Sequence, residues 1–347
     1  MKVLSLFFLL FSGALFAESD LYDRAKAYYY GDGVEQNYSK AFKAFSHADK
    51  AGDLAAKTAL GLMYIEGKGT EQNDKKGINL LKESAARSHT QAQYYLGSMY
   101  YLGIGVDRNS EIAHQWIKKA ANQGNVDAQH NLSQMYAKGD GVKQNPLLAN
   151  KWRIEAAQSG HRDEQYHLGA AYVDDKDYQQ AYQWILRSAN QEHALAQQQL
   201  AEFFERGNGV KKDVKKALYW YQKSFDNGNT ELAYVLANYY DASTHRPANY
   251  KRSHKLYQQS IKQGNLPAYL DIARHYELGQ GVNRDLTKTY NFSIAAARKG
   301  HRPAWRKVAN LYLQGRGVQP SIKKARYWLK KLSNSGDVQA TQQLKEL

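Results

Sequence analysis

Residues 120–142 read Ala-Ala-Asn-Gln-Gly-Asn-Val-Asp-Ala-Gln-His-Asn-Leu-Ser-Gln-Met-Tyr-Ala-Lys-Gly-Asp-Gly-Val. A small pair, Ala120-Ala121, precedes a glycine turn at Gly124. A large apolar residue, Leu132, is followed by small Ser133 and, one helical turn on, by Tyr136, and a Gly-x-Gly turn closes the stretch at Gly139 and Gly141. Outward from here, the aromatic returns as Tyr28, Tyr64, Tyr100, Tyr136, Tyr172, Phe204, Tyr240, Tyr276 and Tyr312, at a spacing of 36 residues broken once by 32. A period in this range means one supersecondary unit stacked on copies of itself, each burying its apolar face against its neighbours.

Other positions keep the same beat. Four residues before each aromatic from Tyr64 on come Leu60, Leu96, Leu132, Leu168, Leu200, Leu236, Ile272 and Val308, each followed by Gly, Ser or Ala. Large, small and aromatic at this spacing describe one face of a helix, helix A, against which another backbone packs closely. The glycines of the following turn supply left-handed geometry that ends a helix. Asn37, Asn73, Asn109, Asn145, Asp177, Asp213, Asn249, Asp285 and Ser321 then read as N-caps of a second helix, B. Helix B carries Ala44, Leu80, Trp116, Trp152, Trp184, Trp220, Leu256, Phe292 or Trp328 seven positions past its cap, and the chain turns again at a glycine in most copies. The fifth repeat, through Val173–Asp177, has lost four residues and both turn glycines. The seventh, through Asp241–Ala248, keeps its length without them. Either loop bends the array or has drifted neutrally.

These residues resemble the Sel-like repeat ("Sel-one", SLR) family, a relative of the tetratricopeptide repeat. The resemblance covers essentially all of residues 18–347. It implies an all-α fold, a right-handed α/α superhelical solenoid of nine helix-turn-helix repeats plus a C-terminal capping helix. It further implies a protein-interaction scaffold or adaptor whose helices A line the concave side. Cysteine-rich members of the family have been linked to β-lactamase activity; this chain has no cysteine, and that activity is not carried over.

Residues 1–17 read as a signal peptide: Lys2, an apolar run from Val3 to Phe16, then Ala17. The run falls short of the about 20 residues that span a membrane. A periplasmic or secreted protein is expected, with no stable membrane span and, given export, no nucleic-acid partner. The absence of cysteine removes thiol catalysis and zinc-thiolate sites, and neither cofactor nor metal is called for.

Charge is uneven. Residues 1–210 hold 23 Lys and Arg against 24 Asp and Glu, and residues 211–347 hold 25 against 9. The net charge of +15 therefore comes from the last four repeats, and a field of one sign attracts acidic partners. These cations also sit near helix ends, where they solvate a surface or complement the dipole.

On helix A, the positions two before, two after and five after the Leu position point away from the core. They place Tyr94, Tyr101, His130, Tyr166, Tyr234, Arg274 and Arg306 on the concave face as candidate binding residues, a surface running from aromatic to charged. Tyrosines there either grip a ligand or pack against the next helix. His89, His161, His193 and His301 fall where a helix-A cap is due, and no catalytic residue is assigned. Three readings follow. The first is an envelope adaptor for protein partners, acidic ones included, with the basic repeats as main contact and the tyrosine groove as a second. The second is a binder of anionic polysaccharide or lipid through residues 211–347. The third is a hydrolase, for which no nucleophile and base are found.

Overall fold

The computed structural model describes residues 21–242 and 248–347. The expected signal peptide and residues 243–247 of the seventh-repeat loop lie outside them. The described residues form helices and turns with no strand. Helices A are α1 (21–30), α3 (Leu54–Glu66), α5 (Thr90–Leu102), α7 (Val126–Lys138), α9 (Arg162–Asp174), α11 (Ala194–Arg206), α13 (Ala233–Asp241), α15 (Pro267–Leu278) and α17 (Arg302–Gln314). Helices B are α2 (Tyr38–Lys50), α4 (Asp74–Ala86), α6 (Ser110–Asn122), α8 (Pro146–Gln158), α10 (Tyr178–Asn190), α12 (Val214–Asp226), α14 (Tyr250–Lys262), α16 (Leu286–Arg298) and α18 (Ile322–Asn334). The last helix is α19 (Val338–Glu346). The chain divides into two compact units, Met1–Leu168 and Gly169–Leu347.

All nine predicted N-cap residues cap a helix B, each side chain accepting an N–H of the first turn at 2.8–3.3 Å. Their own N–H groups are also committed. In every repeat the cap residue donates to the carbonyl of the periodic aromatic, from Asn37 to Tyr28 through Ser321 to Tyr312, at 2.7–3.1 Å. The shortened fifth repeat keeps this bond, Asp177 to Tyr172 at 2.9 Å. Its Lys176 takes a positive φ of 61° in place of glycine. Ser88 and Glu192 do likewise at the inter-repeat turn, with φ of 64° and 63°.

The second turn glycine has a role beyond ending a helix. It lies on the first residue of the preceding repeat's helix B. A Cβ at Gly317 would stand 1.8 Å from the carbonyl oxygen of Leu286, and one at Gly141 would stand 2.0 Å from that of Ser110. The small position of helix A works the same way inside a repeat, where a Cβ on Gly97 would meet Ile117 at 2.7 Å.

The residue seven past the cap is half-buried in most repeats, and the next one, such as Phe45, Leu81, Ile117, Ile185 or Tyr257, is buried in all but the fourth, where it is the exposed Arg153. The earlier position reaches back: Trp116 packs on the cluster of Ile78, Leu81 and Leu96, and Trp152 on that of Ile117, Leu132 and Tyr136. Gln93, Gln129, Gln165 and Gln197 are buried and donate to the carbonyls of Ala85, Ala121, Ala157 and Ala189 near the end of helix B. The Trp305 indole N–H serves Ala297 in their place, at 2.9 Å. Buried donors are seldom left unpaired, so this position demands a donor more than a particular side chain.

The periodic aromatics are only partly the core that their spacing suggests. Tyr136, Phe204, Tyr240 and Tyr312 are buried, but Tyr28, Tyr64, Tyr100, Tyr172 and Tyr276 are half-buried. In six repeats the third residue of helix B lays a cation over the ring, buried or half-buried alike: Lys40, Lys76, Lys216, Arg252, Lys288 and Lys324 stand 4.3–5.5 Å from the ring centres. Each such pair is worth roughly 0.5–1 kcal/mol when exposed.

Gly317→Ala combines left-handed strain with a backbone collision and is expected to cost about 3 kcal/mol. Gly124→Ala, with nothing within 4 Å of its Cβ, should cost only about 1 kcal/mol. Glu192→Gly should stabilise by about 1 kcal/mol. Urea unfolding of the three variants separates these contributions; equal losses for the two alanine variants would remove the collision from the account.

Candidate binding surfaces

In the first unit the outward face of helices A is rich in tyrosine. Tyr94, Tyr95 and Tyr101 of α5, with Asn131 and Met135 of α7 and Asp140 from the turn, line a cavity of about 320 Å³ floored by Ile117. A second cavity of about 330 Å³ is lined by Tyr22, Tyr29 and Tyr30 of α1, Glu66 of α3, His89 and, again, Tyr95. Tyr95 belongs to both, so the two form one run of aromatic surface across α1, α3, α5 and α7. The Tyr101 hydroxyl donates to Asp140 Oδ2 at 3.0 Å, which, ahead of burial, pushes its ionisation up. Arg108 stands 5.6 Å from the same ring. Tyr29 is held between Glu66 (3.3 Å) and Lys68 (3.1 Å). Tyr30 and Leu102 are exposed, at 69% and 61%.

His130 is occupied otherwise. Its Nδ1 lies 2.7 Å from Glu164 Oε1, and its ring stacks on His161 at 4.1 Å. Arg153 donates to the other oxygen of Glu164 at 3.2 Å, and this carboxylate is only 5% exposed. Burial opposes its charge, but the hydrogen bonds and charges of His130 and Arg153 outweigh burial and hold its pKa below the ordinary value. Tyr166 stands on α9 with its ring beside His167, 5.6 Å between centres.

In the second unit the same face is a ladder of charges between successive helices A. Tyr234 donates to Asp271 at 3.2 Å. Arg274 pairs with Asp241 and lies 3.8 Å from Asp271. Glu277 receives Lys307 at 2.5 Å and Arg316 at 3.0 Å, and Arg306 meets Asp337 at 2.5 Å. Thus Arg274 and Arg306, read from the sequence as charge offered to a partner, are engaged by carboxylates of neighbouring repeats. Glu205 likewise accepts from Tyr221 at 2.9 Å and Tyr239 at 2.5 Å.

Beneath this ladder is a pair that the sequence reading missed. His275 is fully buried and His254 is 6% exposed, their Nδ1 atoms 3.3 Å apart. His275 Nε2 lies 2.7 Å from Asp241 Oδ1, and Gln258 is 3.3 Å from His254 Nε2. His275 occupies the place held by Met63, Met99, Met135, Phe203 and Leu311 in other repeats. A polar residue in an otherwise apolar column was the available signal. Burial first, then the neighbouring His275 and Lys288, push the His254 pKa down to about 4. Of the four histidines expected as caps, His89, His161 and His193 accept helix N–H groups at 3.1–3.4 Å. His301 does not: Pro303 lacks an N–H, and the Ala304 N–H goes to the His301 carbonyl.

Among the described residues no group of three or more His, Cys, Asp or Glu is placed to hold a metal ion, and no helix is long and apolar enough to cross a membrane. These elements define a helical-repeat protein of the solenoid class that presents successive helices A side by side. The Sel1 repeat model matches at residues 21–46, 54–89, 90–125, 126–161, 165–193, 194–229, 230–265, 266–301 and 306–337, and the chain belongs to that family. Sel1 repeat proteins are generally scaffolds for protein interaction rather than catalysts. Among solved structures the chain is similar to c5321, a protective antigen of uropathogenic Escherichia coli strains displaying an SLR fold. Identity is 25%, covering 95% of this chain and 79% of that one, with a TM-score of 0.66. A Sel1 repeat protein from Oxalobacter formigenes is 26% identical over 88% of this chain and 90% of its own, at a TM-score of 0.48. No curated protein matches the chain.

His254 stays neutral when folded but takes up a proton when unfolded near its ordinary pKa of 6.5. Its contribution is therefore complete above pH 6.5 and is lost as pH falls from 6.5 toward 4, up to about 3 kcal/mol. Hydrogen-exchange protection factors in α13–α15, which are corrected for the intrinsic pH dependence of exchange, are expected to fall between pH 7 and pH 5. In His254→Leu that fall should be largely absent; if it persists, protonation of His254 is not its cause.

Proposed function

We propose that this protein is a non-enzymatic adaptor of the bacterial cell envelope that holds a polypeptide partner along the helix-A face of its first four repeats. The observation that carries the reading is the run of six tyrosines, Tyr22, Tyr29, Tyr30, Tyr94, Tyr95 and Tyr101, lining two adjoining cavities. Tyrosine supplies large, stiff apolar area with a polar tip, at little entropic cost. Asp140 in the lining of the first cavity suits basic or N–H-rich groups of a bound chain. Residues 1–17 act as a cleaved signal peptide, so the mature chain, 18–347, works in the periplasm or beyond. A protective antigen of the same fold accords with that setting. Tyr166 extends the aromatic face toward α9, and His130 braces it.

The test is affinity capture by mature 18–347 from envelope extract at low and high salt, repeated with Tyr94→Ala/Tyr101→Ala. A discrete polypeptide retained at high salt, and lost at least about tenfold in the double variant, is expected, since truncating central aromatics costs 2 kcal/mol or more. Retention unchanged in a double variant with an intact circular-dichroism spectrum would overturn the assignment.

A further inference from the structure

The charge excess of the last four repeats is not on the helix-A face. There, α13, α15, α17 and α19 carry five Lys and Arg against four Asp and Glu, and several are paired with each other. Helices B of the same repeats, α12, α14, α16 and α18, carry fourteen Lys and Arg against one acidic residue, Asp226. All fourteen cations are exposed, and among the described residues their one ion pair is Lys288 with Asp285 at 3.9 Å. Helices B of the first five repeats hold eleven against five. Internal pairing thus neutralises one face of the second unit and leaves the other positive.

Two of these helices also expose aromatic rings within the charge. Tyr219 of α12 and Tyr327 of α18 are 54% and 55% exposed, each edge-on to its neighbouring Trp220 or Trp328, and Ile322 is 57% exposed. In both helices the row reads cation, tyrosine, cation at four-residue steps: Lys215, Tyr219, Lys223 and Lys323, Tyr327, Lys331. Residues four apart on a helix share a face, so each ring is flanked above and below by positive charge. In α14 the row holds Lys251 and Lys255.

We propose that the helix-B face of repeats six to nine docks on the anionic headgroups of a lipid bilayer. Each 13-residue helix is about 20 Å long, and four side by side at roughly 10 Å spacing spread the cations over a patch on the order of 20 by 40 Å. Charge at both ends of every helix matches a surface, whereas a linear polyanion would follow a single line of it. Lysines that reach outward around an amphipathic ring are the arrangement that suits the water–lipid boundary.

The experiment is flotation of mature 18–347 with vesicles of phosphatidylcholine alone or mixed with phosphatidylglycerol. Binding is expected only to the mixed vesicles and is lost at about 1 M salt, where the screening length is about 3 Å. Lys251→Glu/Lys255→Glu/Lys323→Glu/Lys330→Glu should weaken it more than tenfold and Tyr219→Ala/Tyr327→Ala several-fold, with unchanged melting. Tyr94→Ala/Tyr101→Ala should float like the wild type, which separates this surface from the peptide face. Equal binding to both vesicle types, or no loss in the four-fold charge variant, overturns the proposal. Retention on soluble polyphosphate without flotation also overturns it, in favour of a free polyanion.

Discussion

Everything in this molecule rests on how closely one repeat's turn can approach the backbone of the repeat before it. After the first repeat, the second glycine of each complete turn sits against the opening residue of the preceding helix B, so near that no side chain fits between. With that approach in place, the half-buried Trp116 and Trp152 pack on cores that their own repeat shares with the one before it. Buried glutamines satisfy the carbonyls at the ends of helices B. Packing and hydrogen bonding are thus solved at the same boundary, and a repeat cut off from its neighbours would leave both unfinished.

The two faces of a repeat solve their electrostatics differently. Helices A bring opposite charges together across repeat boundaries, as Glu277 does with Lys307 and Arg316, so polar groups there are spent largely on joining repeats. What is left for recognition on that face is aromatic area, concentrated in the first unit. Helices B have little acidic complement in the second unit, and several of their cations, Arg187, Lys216, Arg252, Lys288, Lys324 and Lys331, lie over aromatic rings.

Much of the fold was legible because its determinants are local. Capping chemistry at nine positions, from Asn37 to Ser321, and the large-small-aromatic column of helix A can be read within one repeat. What could not be read depends on what stands opposite. Arg274 and Arg306 look like a basic surface until Asp241 and Asp337 are found beside them. Tyr28 and Tyr64 look fully buried from their spacing, yet they stand half-buried with Lys40 and Lys76 over their rings. The cavity at Tyr94 and Tyr101 was anticipated by those two residues, but Tyr95 and Asp140 come from positions that the face angle did not single out. His254 and His275 escaped because the cluster they form with Asp241 is assembled from three helices, α13, α14 and α15.

One bond is made in every repeat whatever the length of the turn: the N–H of the helix-B cap residue to the carbonyl of the periodic aromatic. It is present across the eight-residue connections and across the four-residue-shorter one that ends at Asp177. In the fifth repeat, where no glycine pair lies between, this bond still anchors the two ends of the connection between helices A and B. Extra sequence placed inside that loop, at residues 173–176, would be carried outside the register of the array, so it is a natural port for grafting a label or an epitope.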